Sequence, residues 1–271
     1  MRLAIFEHIL YNTHLQIVDL HLHWYYPRSK IIANDRILRS LKQEKFMKWA
    51  ETIIVETERP KLSPDLIRSV LNLTPEMASA YRHPGTTEPP IIDYVINNFT
   101  NRGDVVFDPM CGTGTIIRRA LQLGRDAYGM EVVEQYALLA NAAIMADTGF
   151  ENRVQIKSAL QIQGDELLCK LSPVKLFFFS PPLLDVNRGP YPPSNDQIGN
   201  YQLGQEGLWL HSIRNIMQQI KGLLGGAGFM AIVGRNQSAG DYILTLTQFG
   251  VMAALEVVYK LYDEKVILFQ P

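Results

Sequence analysis

"DVVFDPMCGTGTII", Asp104 to Ile117, is the stretch on which the reading of this chain turns. Val105-Val106-Phe107 is a short apolar run of strand type, and it breaks at Asp108-Pro109. After Gly112 and Gly114 a helical period begins at Thr115. Glycine at those two positions lets the backbone turn sharply and come close to a ligand with no side chain between. The helix that follows offers unpaired N–H groups and a positive end. Asp108 stands at the strand tip, where a carboxylate accepts a hydrogen bond or faces a cation. A lone Gly-x-Gly carries little weight, so the flanking pattern decides. "GRDAYGME", Gly124 to Glu131, reads as a second strand ending in an acid about twenty residues on, where it can hold the two hydroxyls of a ribose.

Position 117, where the third glycine of a dinucleotide fingerprint falls, is Ile. An adenosyl ligand such as S-adenosylmethionine fits the corner best. A dinucleotide site and a plain strand–helix turn are the other readings.

Outward from the corner, short apolar runs alternate with helical periods. The strand candidates are 105–107, 127–130, 154–156, 174–179 and 229–233, then 253–262 and 266–269. Helical candidates are 115–123, 134–146, 208–224 and 241–249. This alternation predicts a doubly wound α/β fold, a mostly parallel sheet with helices on both faces. Asp263-Glu264-Lys265 reads as a tight turn, which makes the last strand antiparallel and closes the chain on a hairpin. Such sheets bind ligands at the carboxyl ends of their strands, near the switch point of the topology. Residues 1–80 read as a helical extension: Ser63-Pro64-Asp65 and Thr74-Pro75-Glu76 are helix starts. The expected division is therefore 1–80 and 81–271.

Composition fits a globular chain of 271 residues, with 47% hydrophobic and 20% charged residues. Two cysteines, Cys111 and Cys169, exclude a disulfide framework and fit a reducing, cytoplasmic setting. No leader pattern is visible, and no apolar run approaches the ~18 residues that would cross a bilayer, so no membrane partner is expected. The net charge of -1 is unlike that of a protein that coats nucleic acid. Arg28 to Lys48 is locally basic, and Arg36, Arg39, Lys42 and Lys45 recur at helical spacing. That face is either simply solvated or a phosphate contact.

"KLFFFSPPLLD", Lys175 to Asp185, is a buried-strand run that stops at once on Ser180-Pro181-Pro182. Together with the glycine corner, this makes the chain resemble the class I S-adenosylmethionine-dependent methyltransferases. It is most similar to the branch acting on exocyclic amino groups of bases, the N4-cytosine and N6-adenine DNA methyltransferases. His83 to Asn141 is similar to that family's linked cofactor motifs, Ser180 to Pro182 to its Ser/Asp/Asn-Pro-Pro-aromatic motif, and Gln202 to Glu206 ("QLGQE") to a stretch that follows it. The corner also resembles that of tRNA guanine-N2 methyltransferases. The resemblance spans about residues 80–270 and implies a seven-stranded sheet and S-adenosylmethionine as cofactor.

Carried onto this sequence, the resemblance makes His83, Thr86, Thr87, Asp108, Pro109, Met110, Cys111, Gly112, Thr113, Gly114, Thr115, Glu131, Val132, Ser158 and Ala159 cofactor-binding candidates. Ser180, Pro181, Pro182 and Leu183 are the catalytic candidates. An exocyclic amine is a poor nucleophile because its lone pair is delocalised into the ring. Two acceptors on its N–H bonds restore tetrahedral character, here the Ser180 hydroxyl and the Pro181 carbonyl. Proline fixes φ and has no N–H, so that carbonyl is held stiffly. Catalysis is then positioning and preorganised polarity.

Two positions depart from the family pattern. Leu183 stands where an aromatic would stack on the base, with Tyr191 or Phe179 as substitutes. The third strand's end lacks an acid for the adenine amino group, leaving Ser158 or the Ala159 N–H to serve. Arg188 and Tyr191, on the Pro- and Asn-rich segment Asp185 to Asp196, are the substrate-contact candidates. His21 and His23 have zinc-like spacing without further ligands, and no metal is expected. Cys111 reads as a small buried filler. Trp24, Trp49 and Trp209 read as packing residues.

The expected activity is methyl transfer to a nucleic acid base amino group, with DNA (cytosine-N4 or adenine-N6) before RNA (guanine-N2 or adenine-N6) as partner. The alternative is a weakly active adenosyl-binding partner subunit.

Overall fold

Helix starts follow the local rules. Ser63 Oγ accepts the Leu66 N–H at 3.1 Å ahead of α1 (Pro64–Leu71), and Thr74 Oγ1 accepts the Met77 N–H at 3.3 Å ahead of α2 (Pro75–Ala80). Pro89-Pro90 opens α3 (Pro89–Phe99). Then strand and helix alternate: β3 (Val105–Asp108), α4 (Thr115–Gln122), β4 (Asp126–Glu131), α5 (Glu134–Thr148), β5 (Val154–Ile156), α6 (Glu166–Leu171), β6 (Val174–Phe179), α7 (Glu206–Lys221) and β7 (Leu224–Arg235). Before α1 stand β1 (Arg2–Ile9) and β2 (Ile53–Glu56). After β7 come a small antiparallel pair, β8 (Gln237–Ala239) and β9 (Tyr242–Leu244), and β10 (Lys260–Gln270). The computed structural model describes residues 2–9, 53–56, 61–81, 86–171, 173–184, 196–202, 204–235, 237–239, 242–244, 257 and 260–270.

Among these residues the main sheet has the order β2-β10-β1-β7-β6-β3-β4-β5, with every pair parallel. Its centre is buried on both faces, as a parallel sheet requires. Side chains alternate between two cores. Phe107, Met130, Phe177, Phe179, Met230 and Ile232 pack on one face with Trp209, Ile213, Ile216 and Ile220 of α7. Val106, Ala127, Leu176, Phe178, Ala231 and Val233 pack on the other with apolar residues of α3, α4 and α5. Ile67 and Ala78 of α1 and α2 close over Leu139 of α5.

Four expectations are corrected. The described main sheet holds eight strands rather than seven. No turn interrupts 263–265; β10 runs straight through and pairs parallel with β1 and β2, so among the described residues the main sheet has no closing antiparallel hairpin. Asp-Glu-Lys contains no Gly or Asn to adopt the positive φ of a two-residue hairpin. The 241–249 helix is replaced, where described, by β9, in keeping with the strand preference of its Tyr and Ile. The first 80 residues hold β1 and β2 besides α1 and α2, so they are not uniformly helical. The basic stretch 28–48, His21, His23, Trp24 and Trp49 lie outside the described residues.

Candidate active site

The chain leaves β3 outward, through α4 to β4 and α5 to β5. It then returns through α6 to β6 on the other side of β3, and goes on to β7. The switch point therefore lies between β3 and β6, which pair directly, Val106 with Leu176 and Phe107 with Phe177. Because the two strands are parallel, their carboxyl tips leave the sheet on the same edge. Asp108 and the glycine turn follow one tip, and Ser180-Pro181-Pro182 follows the other. Adjacent strands lie about 5 Å apart, so both corners follow neighbouring tips at one edge of the sheet.

The glycine turn is built as its sequence requires. Gly112 (φ 54°) and Gly114 (φ 76°) both take the left-handed region. Gly114 also lies against α5, where an added Cβ would sit 3.0 Å from the Ala140 Cβ. The Cys111 N–H donates to the Met130 carbonyl at 3.0 Å, tying the turn to β4. Glu131, 8% exposed, accepts the Gly112 N–H on Oε2 at 2.8 Å and the Val133 N–H on Oε1 at 2.9 Å. Asp108, 2% exposed, accepts the Met110 N–H on Oδ1 at 3.0 Å.

Electrostatics follow from this burial. Loss of water pushes the Asp108 carboxyl well above the usual range; the Met110 N–H opposes this, and the charge of Glu131 adds to it. Burial also raises Glu131, against three backbone N–H groups that favour its charged form. The Cys111 thiol is pushed up by burial first and by both carboxylates after it, which disfavours its thiolate. Two buried acids beside a side-chain-free turn suit a ligand that carries positive charge and hydroxyls. The donor set thus fits the sulfonium, ammonium and ribose of S-adenosylmethionine.

Pro109, Thr113 and Thr115 are buried in the turn, while Met110 and Val132 are half-buried beside it. Past β5, the Lys157 N–H donates to the Glu131 carbonyl at 3.0 Å. Ser158 is buried, with its Oγ accepting the Leu160 N–H at 3.2 Å, and it caps a short 3-10 turn that begins at the buried Ala159. Thr86 and Thr87 lie at the entry to α3, and among the described residues no hydrogen bond joins them to the corner.

At the second corner Ser180 is exposed, and Pro181, Pro182 and Leu183 are half-buried. Leu183 packs against the α7-side core. Phe179 is wholly buried there, so it cannot stack on a base. Among the described residues no donor takes the Pro181 carbonyl, while the Pro182 carbonyl accepts the Trp209 indole N–H at 2.9 Å. The "QLGQE" stretch forms a turn in which Gln205 Oε1 accepts the Gln202 N–H at 2.9 Å and Glu206 Oε1 accepts the Gly204 N–H at 2.9 Å. His83, Arg188 and Tyr191 lie outside the described residues. The described residues hold no group of three or more His, Cys, Asp or Glu placed to bind a metal, and no helix long and apolar enough to cross a membrane.

Two residues escape the sequence reading. Gly129 of β4 faces the glycine turn: an added Cβ would lie 2.6 Å from the Asp108 carbonyl and 3.1 Å from the Cys111 Cβ. A glycine two places before the acid, inside an apolar strand, is the signal that marks it. Trp209, taken as packing alone, also makes the polar contact with the second corner.

Residues 21–142 match the model of the N6/N4 DNA methylase family, a match that contains the glycine corner and ends before Ser180. The chain is 34% identical over 62 residues to the orphan methyltransferase M.BamHII of Bacillus amyloliquefaciens, covering 23% of this chain and 23% of that protein. Among solved structures, a TehB-like SAM-dependent methyltransferase from Corynebacterium glutamicum is 16% identical at a TM-score of 0.41, covering 72% of this chain and 84% of that one. A precorrin-6y C5,15-methyltransferase from Geobacter metallireducens is 15% identical at the same TM-score of 0.41, covering 65% and 74%. The resemblance drawn from the motifs thus stands at the level of the family: over residues 21–142 the chain is similar to the DNA methylases.

Proposed function

We propose that this protein transfers a methyl group from S-adenosylmethionine to an exocyclic amino group of a nucleic acid base. One observation supports the reading: β3 and β6 are parallel neighbours, so the glycine turn and the Ser180-Pro181-Pro182 corner follow adjacent strand tips. When bound, S-adenosylmethionine supplies an electrophilic methyl on a cationic sulfur. Asp108 and Glu131 offset that cation and orient the ribose, with Gly112 admitting the backbone at close range. The turn from Ser158 to Ala159 receives the adenine. Ser180 Oγ and the Pro181 carbonyl accept the two N–H bonds of the target amine and aim its lone pair. No strong base is needed, since the amine sheds its proton after it has been methylated.

DNA, at cytosine-N4 or adenine-N6, is the first substrate class, because the matching family is one of DNA methylases. RNA base amines are the second, on the likeness of the corner to guanine-N2 enzymes. Residues 81–271 form the transferase unit in this reading, and the basic stretch 28–48 supplies phosphate contacts. Arg188 and Tyr191 reach the substrate. The test is tritiated methyl transfer to unmethylated bulk DNA and to bulk RNA, followed by nucleoside analysis. Label in N4-methylcytosine or N6-methyladenine of DNA supports the first class. Label in RNA alone selects the second, and label in neither overturns the enzyme reading.

A further inference from the structure

The second corner has a support that its own motif does not contain. Trp209 sits in the first turn of α7, 2% exposed, with its ring inside the core that covers one face of the sheet. Its indole N–H reaches back 27 residues to the Pro182 carbonyl at 2.9 Å. The surrounding chain is riveted to the same helix: Tyr201 Oη lies 3.1 Å from Ser212 Oγ. Ten residues along α7, Gln219 accepts the Gln163 N–H at 2.8 Å and donates to the Leu160 carbonyl at 2.9 Å, beside the Ser158–Ala159 turn. One helix thus holds both the second corner and the turn that follows β5.

We infer that Trp209 is a positioning residue for methyl transfer, fixing the Ser180–Pro182 corner through the Pro182 carbonyl. A Pro-Pro unit has no N–H of its own to anchor it to the sheet. Its carbonyls can be oriented only by donors from elsewhere, and a buried, rotamer-locked indole is a stiff one. The bond occupies the second carbonyl, and among the described residues no donor takes the Pro181 carbonyl. Leu183 packing inward completes the clamp. This rests on the function proposed above, but the bond itself can be tested apart from it.

The test pairs Trp209→Phe with full-length protein carrying benzothienylalanine at position 209, which keeps the bicyclic ring and lacks the N–H. Hydrogen exchange at the Ser180, Leu183 and Leu184 amides within 180–184, S-adenosylmethionine calorimetry and transfer kinetics on bulk DNA are read for each. Faster exchange confined to 180–184, unchanged cofactor affinity and a kcat lower by about tenfold at unchanged KM for cofactor support the role. Unchanged exchange at 180–184 in the benzothienylalanine protein overturns it, whatever the kinetics. So does faster local exchange with an unaltered kcat. Faster local exchange in a protein whose unsubstituted form methylates neither DNA nor RNA upholds the anchor and removes the proposed function instead.

Discussion

At Gly129 the sheet and the glycine turn approach so closely that only a hydrogen fits between them. A Cβ there would meet the Asp108 carbonyl at 2.6 Å and Ile117 Cδ1 at 2.5 Å, and the carbonyl cannot swing aside as a side-chain end can. Gly129→Ala is expected to cost about 1–3 kcal/mol, read as a lower urea midpoint, and to weaken S-adenosylmethionine binding. A midpoint equal to wild type would show that the turn yields freely. Asp108 makes the opposite trade. Its carboxyl binds a proton more tightly in the folded chain than in the unfolded one, where it titrates near about 4. The stability from that proton is complete below about pH 4 and is lost as pH rises through the raised folded value. Asp108→Asn can keep the oxygen that takes the Met110 N–H and escapes the loss. Its thermal midpoint is expected to exceed that of wild type at neutral pH, by about 2–4 °C if the gain is about 1 kcal/mol, and to converge with it near about pH 4. Cofactor affinity should fall. A midpoint at or below wild type at neutral pH would show that the carboxylate carries no burial cost.

Arg125 shows how single side chains finish elements. It donates to the Thr100 carbonyl at 2.8 Å, to Thr100 Oγ1 at 2.9 Å and to the Leu123 carbonyl at 2.8 Å, capping the carboxyl ends of α3 and α4 with a cation. Arg125→Met is expected to lower stability by about 1.5–3 kcal/mol by chemical denaturation while leaving cofactor affinity within about twofold. An unchanged denaturation midpoint would remove the capping role. Elements were legible where burial and period agreed. The KLFFF run of β6 is apolar on both faces because helices cover both, and the predicted strand 174–179 coincides with Val174–Phe179. The helix after Gly114 starts at Thr115 as read. The failures lie where local pattern is mute about pairing. Asp263-Glu264-Lys265 looks polar enough to turn, yet β10 runs through it, since register comes from neighbouring strands and not from the segment itself. In the site, Asp108, the two glycines and Glu131 carry their spacing in the sequence. The contacts of Gly129 and Trp209 do not, because each acts on residues 12 or more positions away.

For the molecule as a whole, the proposed function rests on the reversal of strand order between β3 and β6. A cofactor corner alone would bind, and a Ser-Pro-Pro corner alone would only end a strand. Parallel pairing brings the two to one edge, where about 5 Å of strand spacing sets their separation. The direct measurement is methyl transfer by wild type and Ser180→Ala on the nucleic acid that wild type labels, with S-adenosylmethionine calorimetry on both proteins. The expected result is equal cofactor affinity and a transfer rate lower by about a hundredfold in Ser180→Ala. Full transfer by Ser180→Ala, or wild type that binds no S-adenosylmethionine, would contradict the account.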